Sequence, residues 1–324
     1  MFIFYSFKIT TVAILQIFLL GLCGYVLTKK NIMSLENLKF ISRLVVNLFL
    51  PCFIFVQLIE NFNFRVYANW WIFPLLSFVV TAMGYFCGVL FVKIDKKLES
   101  FRKEFISLVT FQNSGYLPLI LMAFLLPPGS REQMYIYIFL FLLGFNLIIW
   151  SAGVFYLREE RQEKFEMSSL LNAPVIAIIS VLVLIALGLD KIIPGFLIKP
   201  AKMLGDCTLP LAMLVVGGNL AQIAISAKDN SKYILNLVAA KLLLLPLMAL
   251  GLIFLIRPPY EVAFIFMLQS TLPSATSLGV IMRHYDRSDN IISLGIFWTH
   301  VVSLLTVPVF LIVFSALRVL IYPY

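Results

Sequence analysis

Two short stretches of this chain put neutral polar side chains beside residues that interrupt helices. In FQNSGYLPLILM (111–122), Gln112, Asn113, Ser114 and Gly115 precede Pro118; in QSTLPS (269–274), Gln269, Ser270 and Thr271 precede Pro273. Each lies near the middle of an apolar run, and the first run carries no charge from Phe105 to Leu126. Amides and hydroxyls with freed backbone suit the reversible capture of an ion or a small polar molecule. They do not suit bond making, which needs clustered acids, bases or metal ligands. The chain has only 2 histidines. It lacks HExxH, GxSxG and a nucleotide-binding loop, so an enzyme and an ATP-driven pump are both excluded as readings.

The elements that position these groups follow from composition. The chain is 61% hydrophobic and 13% charged, with mean hydropathy +0.99, against about 25% charged in soluble domains. A hydrocarbon core of about 30 Å takes roughly 20 apolar residues per helix. Ten such runs are present, at 8–28, 40–59, 69–92, 105–126, 134–157, 171–189, 204–225, 233–256, 261–282 and 290–317. The expected fold is therefore an all-α integral membrane protein with ten transmembrane helices. Continuous runs exclude an outer-membrane barrel. Lys29 and Lys30 follow the first run instead of preceding it, so it reads as a retained helix and not a signal peptide. The cysteines Cys23, Cys52, Cys87 and Cys207 form no CxxC pair and read as small apolar residues.

The net charge of +9 fits cytoplasmic loops and not nucleic-acid binding. With both termini outside, inside links hold Lys and Arg at about two to one over outside links. The expected location is a cell membrane, multi-pass, and the short central link points to a prokaryotic inner membrane.

Proline explains the interruptions. Pro118 has no amide hydrogen and its ring opposes the carbonyl of Ser114; Pro273 does the same to Gln269. Helices four and nine are expected to open there, the fourth over roughly 113–118. Open backbone at membrane depth is tolerated only within protein or along a water-filled cavity, so both breaks face inward and toward each other. Each second half-helix then begins near the midplane, presenting unpaired amides and about half a positive charge. Two such ends make a site for an anion such as a carboxylate. Asn113, Ser114, Gly115, Pro118, Gln269, Ser270, Thr271 and Pro273 are its expected lining. The plainer alternative is two kinked structural helices with the amides as interhelical glue.

Three ionisable residues join the candidates. Lys241 lies about 12 Å into the eighth run, where a lysine costs about 2.5–3.5 kcal/mol to insert. It either faces the crossing, to hold an anion or to stand in for a coupling cation, or it snorkels to the cytoplasmic face. His300 is either a proton carrier or a hydrogen-bonded structural residue. Asp206 is expected near the outer, wet end of the seventh run. GYFCG (84–88) is a glycine spacing that favours close helix packing.

The halves repeat. NLFLPC (47–52) matches DCTLPL (206–211), placing Asn47, Pro51 and Pro210 as breaks in the second and seventh helices. SGYLPL (114–119) matches QSTLPS (269–274), and Asn146 matches His300. The expected organisation is a five-helix repeat over 1–157, a cytoplasmic linker over 158–170 and an inverted repeat over 171–324. This is a common plan of secondary transporters. A sodium-coupled symporter of an amphipathic organic anion is the alternative; with no acid near either break, only neutral oxygens would serve the ion.

The chain resembles the auxin efflux carrier family of membrane transport proteins over nearly its whole length. The resemblance rests on NSGYLP (113–118), LPLAMLVVGGNLA (209–221) and LPSATSLGVIMRHY (272–285). It implies a fold like that of bile acid:sodium symporters, with helices 1, 2, 6 and 7 as a frame. Helices 3–5 and 8–10 would be an elevator-type moving part, in a homodimer. It also implies transport of small organic anions, auxin-like acids or dicarboxylates, with Asn113, Asn146 and the Pro273 segment lining the site. No cofactor and no metal is expected; the partners are the anion, membrane lipid and a proton for coupling.

Overall fold

The computed structural model describes residues 2–157, 171–222, 231–284 and 290–322; the expected linker, 158–170, lies outside the described residues. The described chain is all-helical. In order it forms α1 (Phe2–Lys29), α2 (Leu35–Asn61), α3 (Ile72–Ile94), α4 (Arg102–Thr110), α5 (Tyr116–Leu125) and α6 (Ser130–Leu157). There follow α7 (Ala173–Ala186), α8 (Gly195–Ala221), α9 (Ser231–Ile256), α10 (Tyr260–Thr271), α11 (Ser277–His284) and α12 (Asn290–Ile321). Six of these helices, α2, α3, α6, α8, α9 and α12, are long and apolar enough to cross a membrane. Further apolar helical stretches are Leu15–Lys29 within α1, α5 and α7.

Local chemistry sets the ends. Ser34 caps α2, its hydroxyl accepting from the N–H of Asn37 at 3.2 Å. Asn172 caps α7 in the same way toward Val175, with Pro174 in the first turn. At the end of α9, Arg257 takes a left-handed φ of 51° and Pro258 and Pro259 prevent continuation.

Packing places the helices around the two interrupted segments. α1 lies along the second half of α8, and α7 lies along the second half of α2. α8 also runs beside α2. α1 and α8 touch backbone to backbone: a Cβ at Gly217 would overlap the carbonyl oxygen of Gly21, and one at Gly24 that of Leu214. α3 contacts α4 and α6, as α9 contacts α10 and α12. The GYFCG glycines serve the first of these contacts. A Cβ at Gly84 would lie 2.8 Å from the Thr110 Cα, and one at Gly88 would lie 3.0 Å from the Ile106 Cα.

Of the breaks expected in helices two and seven, the first is absent and the second is present as a bend. Asn47 and Pro51 do not open α2. The ring of Pro51 is absorbed by a π-turn over Val45–Phe49, and the helix continues. Pro210 falls in the first turn after a bend at Cys207, where its missing N–H costs little. The seventh helix also starts earlier than its apolar run, at Gly195. Lys199 and Lys202 begin it within helix because they occupy its exposed side, where Lys202 meets Glu60 at 3.6 Å. Asp206 is the last residue of the helical segment Gly195–Asp206, immediately before the bend at Cys207, and it is exposed, as expected.

Candidate functional site

The fourth and ninth apolar runs are interrupted. α4 stops at Thr110 and α5 starts at Tyr116; α10 stops at Thr271 and α11 starts at Ser277. Between them the backbone is extended and the two breaks pair with each other. The Asn113 N–H donates to the Pro273 carbonyl at 2.8 Å, and the Ala275 N–H donates to the Phe111 carbonyl at 3.0 Å. Gln112 and Ser274 face each other as an antiparallel pair.

This pairing corrects the register read from the prolines. About the Gln112–Ser274 pair, Phe111 corresponds to Pro273 and Asn113 to Ala275, so Pro118 and Pro273 are not equivalent. Pro118 is the third residue of α5, in a first turn that has no helical partner for its N–H in any case. Pro273 is in the crossing itself. The first break accordingly lies over 111–115, just before the expected 113–118.

Each first half-helix ends with carbonyls that its own chain does not cap. In α4, the N–H groups of Asn113 and Ser114 turn to Pro273 and Gln112 and not back to Val109 and Thr110. In α10, the partner position for Gln269 is Pro273, which has no N–H, while the Ser274 N–H goes to Thr299 Oγ1 at 3.2 Å and that of Ala275 to Phe111. Side chains from elsewhere take two α4 carbonyls. Ser274 Oγ donates to the Leu108 carbonyl at 2.7 Å, and Lys241 Nζ donates to the Val109 carbonyl at 2.7 Å. Lys241 is fully buried, so it does not snorkel.

The other expected residues divide. Asn113 is buried and its Nδ2 lies 3.2 Å from His300 Nε2. His300 Nδ1 lies 2.8 Å from the carbonyl of Ile296, which only accepts. Nδ1 therefore carries the hydrogen, and Nε2 accepts from the Asn113 amide. Ser270 and Thr271 turn back on their own helix, donating to the carbonyls of Phe266 and Leu268 at 2.8 and 2.7 Å. Ser114 Oγ reaches only the Gln112 carbonyl, at 3.4 Å. Gly115 has open space around it. Asn146 follows Phe145, whose ring packs on Phe111 of the break at 6.3 Å, but its own amide bonds elsewhere. Its Nδ2 donates to Leu142, and its Oδ1 accepts from Asn172 at 3.0 Å.

Two side chains at the crossing are left with nothing to bond. Gln112 and Gln269 are fully buried, and neither the nitrogen nor the oxygen of either amide has a partner. Gln112 stands one residue before the expected site, and only its buried amide marks it. The hydroxyls of Ser107 and Thr110 are also unpartnered. They line a 410 Å³ cavity together with Phe78, Tyr85, Phe111 and Tyr156.

Unpaired amides at an interrupted, cross-paired pair of helices suit capture and release of a polar solute. Residues 9–311 match the membrane transport protein family. The chain is 22% identical to Protein PIN-LIKES 5 of Arabidopsis thaliana, over 96% of this chain and 98% of that one. It is 21% identical to Protein PIN-LIKES 1 of the same plant, over 92% and 77%. Over 34% of its length it is 30% identical to an uncharacterized transporter, C5D6.04, of Schizosaccharomyces pombe, covering 24% of that protein. The chain thus belongs to the membrane transport protein family of auxin efflux carriers and their PIN-LIKES relatives, a family of transporters and not of enzymes, and is a multi-pass membrane protein.

Proposed function

We propose that this protein is a secondary transporter that moves a small organic anion by alternating access, with its site at the crossing of α4–α5 and α10–α11. The observation that carries the reading is the pair of buried, unpartnered amides, Gln112 and Gln269, beside two half-helices that both begin at the crossing. α5 and α11 start within four residues of the Gln112–Ser274 pair. Their N-terminal amides and positive dipole ends suit a carboxylate, and the glutamine amides and Asn113 supply neutral donors around it. An unpaired buried amide costs about 1–3 kcal/mol, a cost that a bound solute removes.

The wider architecture fits ten crossings in two inverted halves, 1–157 and 171–324. The pairing of α1 with α8 mirrors that of α7 with α2, and the surroundings of α3 mirror those of α9. In this reading α1, α2, α7 and α8 are the frame, and the remaining helices carry the site. Both termini are outside, in a cell membrane, and the carrier works as a homodimer.

Protein reconstituted in liposomes is expected to take up labelled indole-3-acetate or labelled succinate, the two classes of acid the site would fit. Asn113→Ala and Gln269→Ala are each expected to cut uptake while the protein remains folded. Normal uptake in both variants would remove the site from the crossing.

A further inference from the structure

The two inner helix ends at the crossing are not treated alike. A half-helix C-terminus carries about half a negative charge, and in ion-coupled carriers such ends and the unwound carbonyls beside them hold the coupling cation. At the end of α4 a cation is already present, and it belongs to the chain. Lys241 reaches in from α9, within a π-turn over Ala239–Leu244, and sets Nζ 2.7 Å from the Val109 carbonyl. The π-turn precedes Pro246, which withholds a donor from the carbonyl of Leu242 and loosens the ladder around Lys241. The neighbouring Leu108 carbonyl is taken by Ser274. The ammonium is fully buried, and among the described residues it forms no ion pair. Its position also separates it from the proposed anion: it contacts the C-terminal end of α4, while the anion is assigned to the N-terminal ends of α5 and α11.

We propose that the Lys241 ammonium is a tethered substitute for a coupling cation, filling at the end of α4 the place where a free monovalent ion would otherwise bind. The protein is then indifferent to sodium, and a variant that vacates the position admits one. This rests on the transporter reading for its meaning, but its test needs no substrate.

Thermal unfolding of the purified full-length protein in detergent is compared in sodium chloride, lithium chloride and choline chloride at equal ionic strength. Wild type and Lys241→Arg are expected to unfold at the same temperature in all three. Lys241→Ser removes the ammonium and leaves room beside the Val109 carbonyl; it is expected to unfold higher in sodium or lithium than in choline, as mass action requires of an ion bound by the folded state. A wild-type midpoint that rises in sodium over choline would overturn the proposal. So would a folded Lys241→Ser protein indifferent to all three salts. Should Lys241→Ser not fold in choline, its recovery in sodium supports the substitution, and failure in every salt overturns it. Absence of indole-3-acetate or succinate uptake by wild type would instead count against the transporter reading and leave these midpoints unaffected.

Discussion

Gln112 and Gln269 hold four buried hydrogen-bonding atoms with no protein partner for any of them. Stability and transport should therefore oppose each other at these residues. Gln112→Met and Gln269→Met keep most of the volume and remove the unpaired amide, so each is expected to stabilise the protein by about 1–3 kcal/mol while lowering uptake. Paired unfolding and uptake measurements on each variant check this; a loss of both properties would mean that the amides are structural. Position 269 could be picked out of the sequence as a candidate because a glutamine two helical turns inside an apolar run, before a proline, has no cheap structural use. Gln112 was visible as a polar residue but not as a candidate for the proposed site, because its lack of partners depends on tertiary contacts. The partner of Asn146 was hidden for the same reason. Asn146 is polar and in mid-run, yet Asn172, twenty-six residues on, consumes its side-chain oxygen at 3.0 Å.

Between elements, glycine decides how closely helices approach. The site for a Cβ on Gly217 is occupied by the Gly21 carbonyl, so Gly217→Ala must push α1 from α8 and is expected to cost about 1–3 kcal/mol. Gly251 in α9 is exposed with open space around it, and Gly251→Ala should stabilise by about 0.5–1 kcal/mol. Opposite shifts of the unfolding midpoint test the pair. A second element-level contact lies at the end of α3, where Asp95 accepts from Asn236 of α9 at 2.9 Å and pairs with Lys232 at 3.3 Å. The backbone N–H of Lys97 first, and then Lys232 and Asn236, hold its carboxyl below the usual carboxylate range. A folded value below the unfolded one gives stability that is complete above the unfolded value and is lost as pH falls through the folded one. Asp95→Asn should therefore flatten the acid limb of stability against pH, measured by unfolding midpoint. The breaks themselves were legible, since glycine, proline and polar residues in lipid have few other meanings. Their register was not. Two prolines at matching sequence distance have different jobs, one in a first turn and one in the crossing, and only the backbone pairing distinguishes them.

For the whole molecule, the proposed arrangement fixes sidedness. Arg65 and Lys97 are exposed and lie beyond opposite ends of α3. With the native cysteines replaced, Arg65→Cys should react with an impermeant maleimide from outside and Lys97→Cys only from the cytoplasm. Labelling of both from one side would refute the topology. The crossing bears on how any solute could be passed through such a body. The bonds from Asn113 to Pro273 and from Ala275 to Phe111 stitch the two interrupted segments together. Neither break can slide past the other without parting that seam. In the proposed reading the lining is then a single cradle. A passenger would be handed from one face of the membrane to the other still gripped by the same atoms, and release would be governed by what surrounds the cradle at each end of its travel.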